Sequence, residues 1–255
     1  MPAEFHVFPC LSDNIGVLMR DKETGACASI DAPEAEPILA ALEQTGWKLT
    51  DILVTHKHPD HVAGVAELKE RFGARVVAPV REAEFVPEAD LFVNQGDTVM
   101  VGSLSGTVLF TPGHTAGHIS YYFAGARALF AGDTLFALGC GRLLEGSPED
   151  MWRSLQKLAA LPDDTQVFCG HEYTLSNARF ALAADPDNAA LKLRAAVVEG
   201  QRADGQLTVP SLLRDEKATN PFLRADQPAL AAAVDLDGSD PVAVFAALRE
   251  WKNNF

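Results

Sequence analysis

Short apolar runs punctuated by turn residues fill the first two thirds of the chain, and helical periodicity fills the rest. Residues 4–8 (EFHVF), 15–20 (IGVLMR) and 26–31 (ACASID) predict three successive strands, separated by turns at Ser12-Asp13-Asn14 and Lys22 to Gly25. Ile38, Leu39 and Leu42 recur at helical spacing within 33–44, and Gly46 supplies a stop. The run 49–54 (LTDILV) predicts a buried strand, and 62–72 a helix that ends at Gly73. Further short strands are expected at 75–78, 98–101, 107–111, 119–123, 126–131 and 166–169. Between the last two, Ser147-Pro148-Glu149-Asp150 has the residues of a helix start: a Ser cap, Pro at the first position and acids in the first turn. After Tyr173 strand signals nearly vanish. Helices are expected at 174–184, 189–201 and 240–253, with shorter pieces at 211–217 and 227–233. Two domains follow, 1–173 and a small helical one over 174–255.

Composition narrows the picture. A chain of 255 residues, 47% hydrophobic, can bury one large core, or one core plus a small appendage. It has no run of 18 apolar residues, and MPAEFHVFPC lacks the basic and apolar regions of a signal peptide, so a cytoplasmic chain that spans no membrane is expected. Cys10, Cys27, Cys140 and Cys169 form no CxxC pair and are expected as free thiols. A net charge of −14 argues against nucleic acid or an anionic membrane surface as partner. An acidic chain that takes an anionic small molecule needs a local basic cluster.

The candidate chemistry starts at Thr55-His56-Lys57-His58-Pro59-Asp60-His61, between a predicted strand end and a helix start. His56 and His58 are two apart on an extended turn, so both can face one metal. Pro59 breaks that geometry, and Asp60 and His61 enter the helix pointing towards a second metal. Imidazole nitrogens with carboxylate oxygens suit zinc, iron or manganese. Thr111-Pro112-Gly113-His114 presents His114 from a sharp turn as a third histidine for the first metal. His118, at the start of the next strand, is expected as an outer partner rather than a ligand. Asp133, after Gly132 at a strand end, is a carboxylate able to bridge two cations. Gly170-His171-Glu172-Tyr173 brings one more ligand type after a glycine, without a defined place. Six of the 7 histidines lie in or beside these motifs; His6 alternates within an edge-like strand and is not a candidate.

In order, THxHxDH, PGHTxGH, GDTLF and GHEYT resemble the metallo-β-lactamase superfamily. FALGCGRLLEG (136–146), CGHEYT (169–174), NPFLR (220–224) and the ending Leu248-Arg249-Glu250-Trp251-Lys252 narrow the resemblance to its glyoxalase II, or hydroxyacylglutathione hydrolase, branch over essentially the whole chain. The resemblance implies an α+β fold, an αββα four-layer sandwich followed by a helical C-terminal domain. It implies His56, His58 and His114 on one metal, Asp60, His61 and His171 on the other, and Asp133 bridging, with zinc the first expectation and iron or manganese the alternatives. It further implies a monomer that hydrolyses S-D-lactoylglutathione through a hydroxide held between the metals, with Asp60 and Asp133 in the catalytic set. Arg142, Tyr173, Arg249 and Lys252 are then the substrate contacts; without the resemblance, Arg249 and Lys252 read as a solvated helix end. Leu144 and Ile15 stand where the family often has tyrosine, which bears on selectivity among thioesters. A persulfide dioxygenase, a lactonase or another thioesterase on the same core, and a non-hydrolytic di-iron redox or metal-binding module, are the competing readings.

Overall fold

Alternation at the N-terminus yields β1 (Ala3–Cys10) and β2 (Asn14–Asp21), paired antiparallel from Ala3↔Asp21 to Cys10↔Asn14. β3 (Cys27–Ile30) continues antiparallel, and the chain then crosses over through α1 (Ala35–Thr45), which stops at left-handed Gly46. β4 (Leu49–Leu53) lies parallel to β3. Two short helices follow, α2 (Pro59–Val62) and α3 (Val65–Phe72), the second stopping at left-handed Gly73. β5 (Arg75–Pro79) and β6 (Leu91–Val93) complete a six-stranded sheet ordered β1-β2-β3-β4-β5-β6. β3 and the end of β4 are buried without alternation, as parallel strands covered on both faces must be. β7 (Thr98–Val101), β8 (Leu104–Phe110), β9 (Ile119–Phe123) and β10 (Ala128–Gly132) form an antiparallel run in the order β10-β9-β8-β7. β7 and the first part of β8 alternate buried and exposed, so one face of that edge meets solvent.

The computed structural model describes residues 2–255. They fall into two compact units, residues 2–110 with Thr115–Gly132, and Thr111–His114 with Asp133–Phe255. In the first unit, Ile38 and Leu42 of α1 and Val65 and Leu68 of α3 join Leu49, Ile52, Val76 and Ala78 in one apolar cluster on the helical side of the six-stranded sheet. Fully buried Tyr121 of β9 reaches that sheet's other side, donating its hydroxyl to Val54 O at 2.7 Å, and the rings of Phe5 and Phe130 lie 6.3 Å apart. The unit is therefore two sheets face to face with helices outside the first.

A buried carboxylate ties these sheets together. Asp21, at the end of β2, accepts from Thr24 Oγ1 (2.6 Å), Glu23 N (3.0 Å), Ser103 N (2.7 Å) and Ser103 Oγ (2.9 Å). Burial alone would raise its pKa, but these donors outweigh it and hold the carboxyl well below the usual range. A folded-state pKa below the unfolded value of about 3.9 gives stability that is complete above that value and lost as pH falls through the folded pKa. Asp21→Ala is expected to lower stability at pH 7 by about 2 kcal/mol. In urea unfolding, the gap between variant and wild type should narrow below about pH 4; a gap independent of pH would disprove the assignment.

The second unit opens with a tight hairpin, β11 (Leu135–Phe136) and β12 (Gly139–Cys140). α4 (Pro148–Ala159) starts on the expected cap: Ser147 Oγ accepts from Asp150 N, and the Asp150 carboxylate accepts from Ser147 N, a full capping box. β13 (Gln166–Cys169) precedes α5 (Thr174–Ala184) and α6 (Ala189–Ala203). The C-terminal region is helical apart from one two-residue strand, β14 (Ser211–Leu212), paired with β13 through Gln166↔Leu212 and Val167↔Ser211. α7 (Leu213–Thr219), α8 (Pro228–Ala233) and α9 (Pro241–Asn253) complete the chain. Phe180 stacks on Phe222 at 5.7 Å and meets Trp251 edge-on at 5.2 Å, forming the aromatic centre of this unit. Among the described residues no helix is long and apolar enough to cross a membrane.

Candidate metal centre

The first unit gathers His56, His58, Asp60 and His61 at the C-terminal end of β4, and the hydrogen bonds around them settle two tautomers. Asp31 Oδ1 accepts from Thr55 N (2.6 Å), and Oδ2 accepts from Thr55 Oγ1 (2.8 Å). The Thr55 hydroxyl has one proton and gives it to the carboxylate, so towards His56 Nδ1, 3.0 Å away, it can only accept. His56 therefore carries its proton on Nδ1 and aims the Nε2 lone pair at a point that His58 Nδ1, 3.0 Å distant, also faces. His61 Nδ1 donates to Asp31 Oδ2 at 2.8 Å, which puts the ring's lone pair on Nε2, 3.6 Å from Asp60 Oδ2. One buried carboxylate thus sets the ring orientation of two candidate ligands, the arrangement that metal-binding histidines require. Asp31 occupies the left-handed region (φ 56°), a conformation an Asp tolerates better than most residues. His118 is fully buried and stacks on His56 at 4.9 Å, in keeping with an outer role. Gly132 sits against it: a Cβ there would lie 2.6 Å from His118 Nε2.

Three supporting residues escaped the sequence analysis. Asp31 stands at a predicted strand end just as Asp133 does, so the same signal could have found it. Asn14 donates to both Asp60 O (2.9 Å) and Asp60 Oδ2 (3.1 Å), which gives the Asp13-Asn14-Ile15 segment a direct bearing on a candidate ligand. Glu82 had no signal. It is buried in a 3₁₀ turn over Val80–Phe85 and accepts from Thr115 Oγ1 (2.5 Å), Gly117 N (3.1 Å) and the Lys57 backbone. It therefore braces the histidine loop and the segment following His114. Burial pushes its pKa up against the pull of those donors.

The second unit gathers His114, Asp133 and His171. Both histidines bring Nε2 to 3.3 Å from Asp133 Oδ2, and all three side chains are about nine-tenths buried or more. His114 Nδ1 lies 2.9 Å from Arg142 O, which can only accept, so the proton is on Nδ1 and Nε2 is left to coordinate. Gly141 lets the chain pass beside Asp133, since a Cβ there would fall 1.9 Å from Asp133 O. His171 stacks on Tyr173 with centroids 4.8 Å apart and 2° between planes, and Phe136 meets both rings edge-on. Cys169 is buried, and burial pushes its thiol up to about 12, which suits a core residue and not a nucleophile. In both units the candidate donors are imidazole nitrogens and carboxylate oxygens, with the lone pairs of His56, His61 and His114 fixed in place by their partners, a set that fits divalent cations. These His/Asp clusters point to a binuclear metal site.

Of the residues expected to meet substrate, Arg142 is exposed and Tyr173 is 38% exposed. Arg249 is not a solvated helix end. It is buried, donates from Nη1 to Cys140 O (2.8 Å) and from Nε to Asn253 Oδ1 (3.2 Å), and lies over the Phe222 ring at 5.0 Å. Lys252 is half-buried and donates to Ser176 Oγ at 2.9 Å; burial first, then Arg249, lowers its pKa. Arg249→Ala is expected to remove about 1–3 kcal/mol of stability by stranding the Cys140 carbonyl. Unchanged unfolding midpoints in urea would refute that role.

A family model described as the metallo-beta-lactamase superfamily matches residues 23–171, and one described as hydroxyacylglutathione hydrolase C-terminus matches residues 172–255. A curated protein named hydroxyacylglutathione hydrolase, from Methylobacterium nodulans, is 61% identical over 253 residues, covering 99% of each chain. Among solved structures, ETHE1 from Myxococcus xanthus superposes with a TM-score of 0.70 at 28% identity, covering 97% of this chain and 90% of that one. TTHA1623, solved in a di-iron-bound form, gives a TM-score of 0.56 at 29% identity over 66% of this chain and 91% of that one.

Proposed function

We propose that this chain, which belongs to the hydroxyacylglutathione hydrolase family of the metallo-β-lactamase superfamily, hydrolyses S-D-lactoylglutathione to D-lactate and glutathione. The observation that carries this reading is the unbroken match: the two family models meet at residues 171 and 172, with the ligand candidates in the first and the basic helix end in the second. In this reading His56, His58 and His114 hold one cation, Asp60, His61 and His171 hold the other, and Asp133 is shared. Residues 1–173 form the catalytic portion and 174–255 the substrate-binding portion. Zinc is the proposed ion, and the di-iron form of TTHA1623 makes iron the alternative. When bound, such a pair of cations lowers the pKa of water towards neutrality and polarises a carbonyl.

The chain's own residues do the rest. Asp31, through Thr55, holds His56 in one tautomer and holds His61 directly, and the Arg142 carbonyl does the same for His114. None of these rings has to reorient during turnover. The departing glutathione thiol has an ordinary pKa of about 8.5, so it leaves as thiolate with little help from an acid. Arg142, Arg249 and Lys252 supply the local positive charge that the two carboxylates of glutathione need on a chain of net charge −14, and Tyr173 adds a ring and a hydroxyl. The same reading makes the protein a cytoplasmic monomer acting on a small molecule, with no nucleic acid or membrane as partner.

Loss of the thioester on incubation with purified protein, with metal content measured on the same sample, tests the reading. Turnover with close to two metals per chain is expected. Full metal occupancy without turnover would redirect it to other thioesters, a second reading favoured by Leu144, which is 51% exposed where the family often has tyrosine.

A further inference from the structure

The hairpin Leu135–Cys140 is held from outside at every residue from Phe136 to Cys140. Its turn places Leu138 in the left-handed region (φ 57°), where glycine or asparagine is the favoured residue and leucine is not. The sequence alone therefore disfavours this turn. Side chains from the helical region hold the turn in this conformation. Asn220 Nδ2 faces Phe136 O (3.2 Å) and Gly139 O (2.9 Å); Asn177 Nδ2 donates to Ala137 O (3.1 Å). Glu216 Oε2 accepts from Leu138 N (2.9 Å), and Arg249 Nη1 donates to Cys140 O (2.8 Å). Glu216 and Asn220 are wholly buried and bonded to each other at 3.1 Å. Arg194 pairs with the other Glu216 oxygen, and Asn220 Oδ1 accepts from Phe222 N at 3.0 Å. Gly139 lies under Asn177, where a Cβ would come within 2.4 Å of Asn177 Nδ2. Two residues past the hairpin comes Arg142, whose carbonyl accepts from His114 Nδ1.

We propose that Glu216 and Asn220 are positioning residues: they keep the Phe136–Cys140 hairpin in a turn that its own sequence disfavours, and so set both the Arg142 side chain and the carbonyl that orients His114. The part concerning Arg142 rests on the glutathione thioester reading; the part concerning His114 does not. The asparagine of the NPF segment, which the metal and substrate assignments leave without a role, thereby acquires one.

The test uses Asn220→Ala in the full chain, with two readouts. The first is the kcat and KM for S-D-lactoylglutathione at saturating zinc. The second is the zinc affinity of the metal-stripped chain, measured by competition with a chromophoric chelator. We expect KM to rise about 10-fold with kcat within about 3-fold, and zinc affinity to fall about 10-fold, the scale of losing a ligand's outer partner. Asn177→Ala, which removes the one side-chain donor to Ala137 O, should shift both in the same direction by about 3-fold. A variant with lower thermal stability but wild-type KM and zinc affinity would overturn the proposal. If Asn220→Ala does not fold, Asn177→Ala carries the test alone: KM and zinc affinity each shift about 3-fold, or the proposal fails. A wild type that binds zinc but does not hydrolyse the thioester defeats the functional reading alone, because the zinc readout still decides the positioning role.

Discussion

Asp31→Ala is expected to lower zinc affinity by about 10–100-fold, although Asp31 itself is not assigned to a metal. The carboxylate receives Thr55 N, Thr55 Oγ1 and His61 Nδ1, and through Thr55 it determines which nitrogen of His56 carries the proton. Without it the Thr55 hydroxyl is free to donate to His56 Nδ1, which moves the proton to Nε2, the atom needed as a donor. The His61 ring loses its anchor in the same step. Stranding these buried donors also costs about 2–4 kcal/mol of stability. Chelator competition on metal-stripped protein and a thermal melt of the same sample separate the two effects. Wild-type zinc affinity with lowered stability would reduce Asp31 to a packing residue. Asp31→Asn sharpens the distinction, because an amide of the same shape still accepts one of the donors.

His58→Ala should reduce thioester hydrolysis by about 10³-fold or more, the scale of losing several kcal/mol of transition-state charge stabilisation. Metal content should fall below that of the wild type. Stability should change little, since His58 is half-buried at the rim of the histidine loop and the Asp31 hydrogen bonds do not involve it. Retention of more than a tenth of the wild-type rate would remove His58 from the metal set.

Much of the fold was legible where local chemistry and tertiary role agree. Gly46 and Gly73 end their helices in the left-handed conformation, and the helix start read at Ser147-Pro148-Glu149-Asp150 is where α4 begins, its cap completed as a capping box. The ligand candidates were legible because histidine and aspartate just beyond buried strands have few other uses. The helix expected over 62–72 divides into Pro59–Val62 and Val65–Phe72, with Gly64 backed against Glu34 and Ala35 closely enough that no Cβ fits. That break depends on a distant segment, and a periodicity argument does not see it. β14 was hidden within an expected helical piece, because its two residues pair with β13 and local propensity has no hold on so short a strand. Asn14 and Glu82 lie 46 and 33 residues from Asp60 and Thr115, the groups they hold, and contacts of that kind leave no spacing to read; Asp31, 30 residues from His61, had only its place at a strand end to mark it.

The four cysteines have a consequence for chemical durability. All are buried and free, and burial pushes Cys10, Cys27 and Cys169 up to about 12, with Cys140 shifted in the same direction. At pH 7 a thiol with that pKa is about one part in 10⁵ thiolate, the form that electrophiles alkylate and peroxides oxidise. While it stays folded, the chain offers alkylating agents almost nothing to attack at sulfur, and the first sign of its unfolding should be the sudden appearance of reactive thiols.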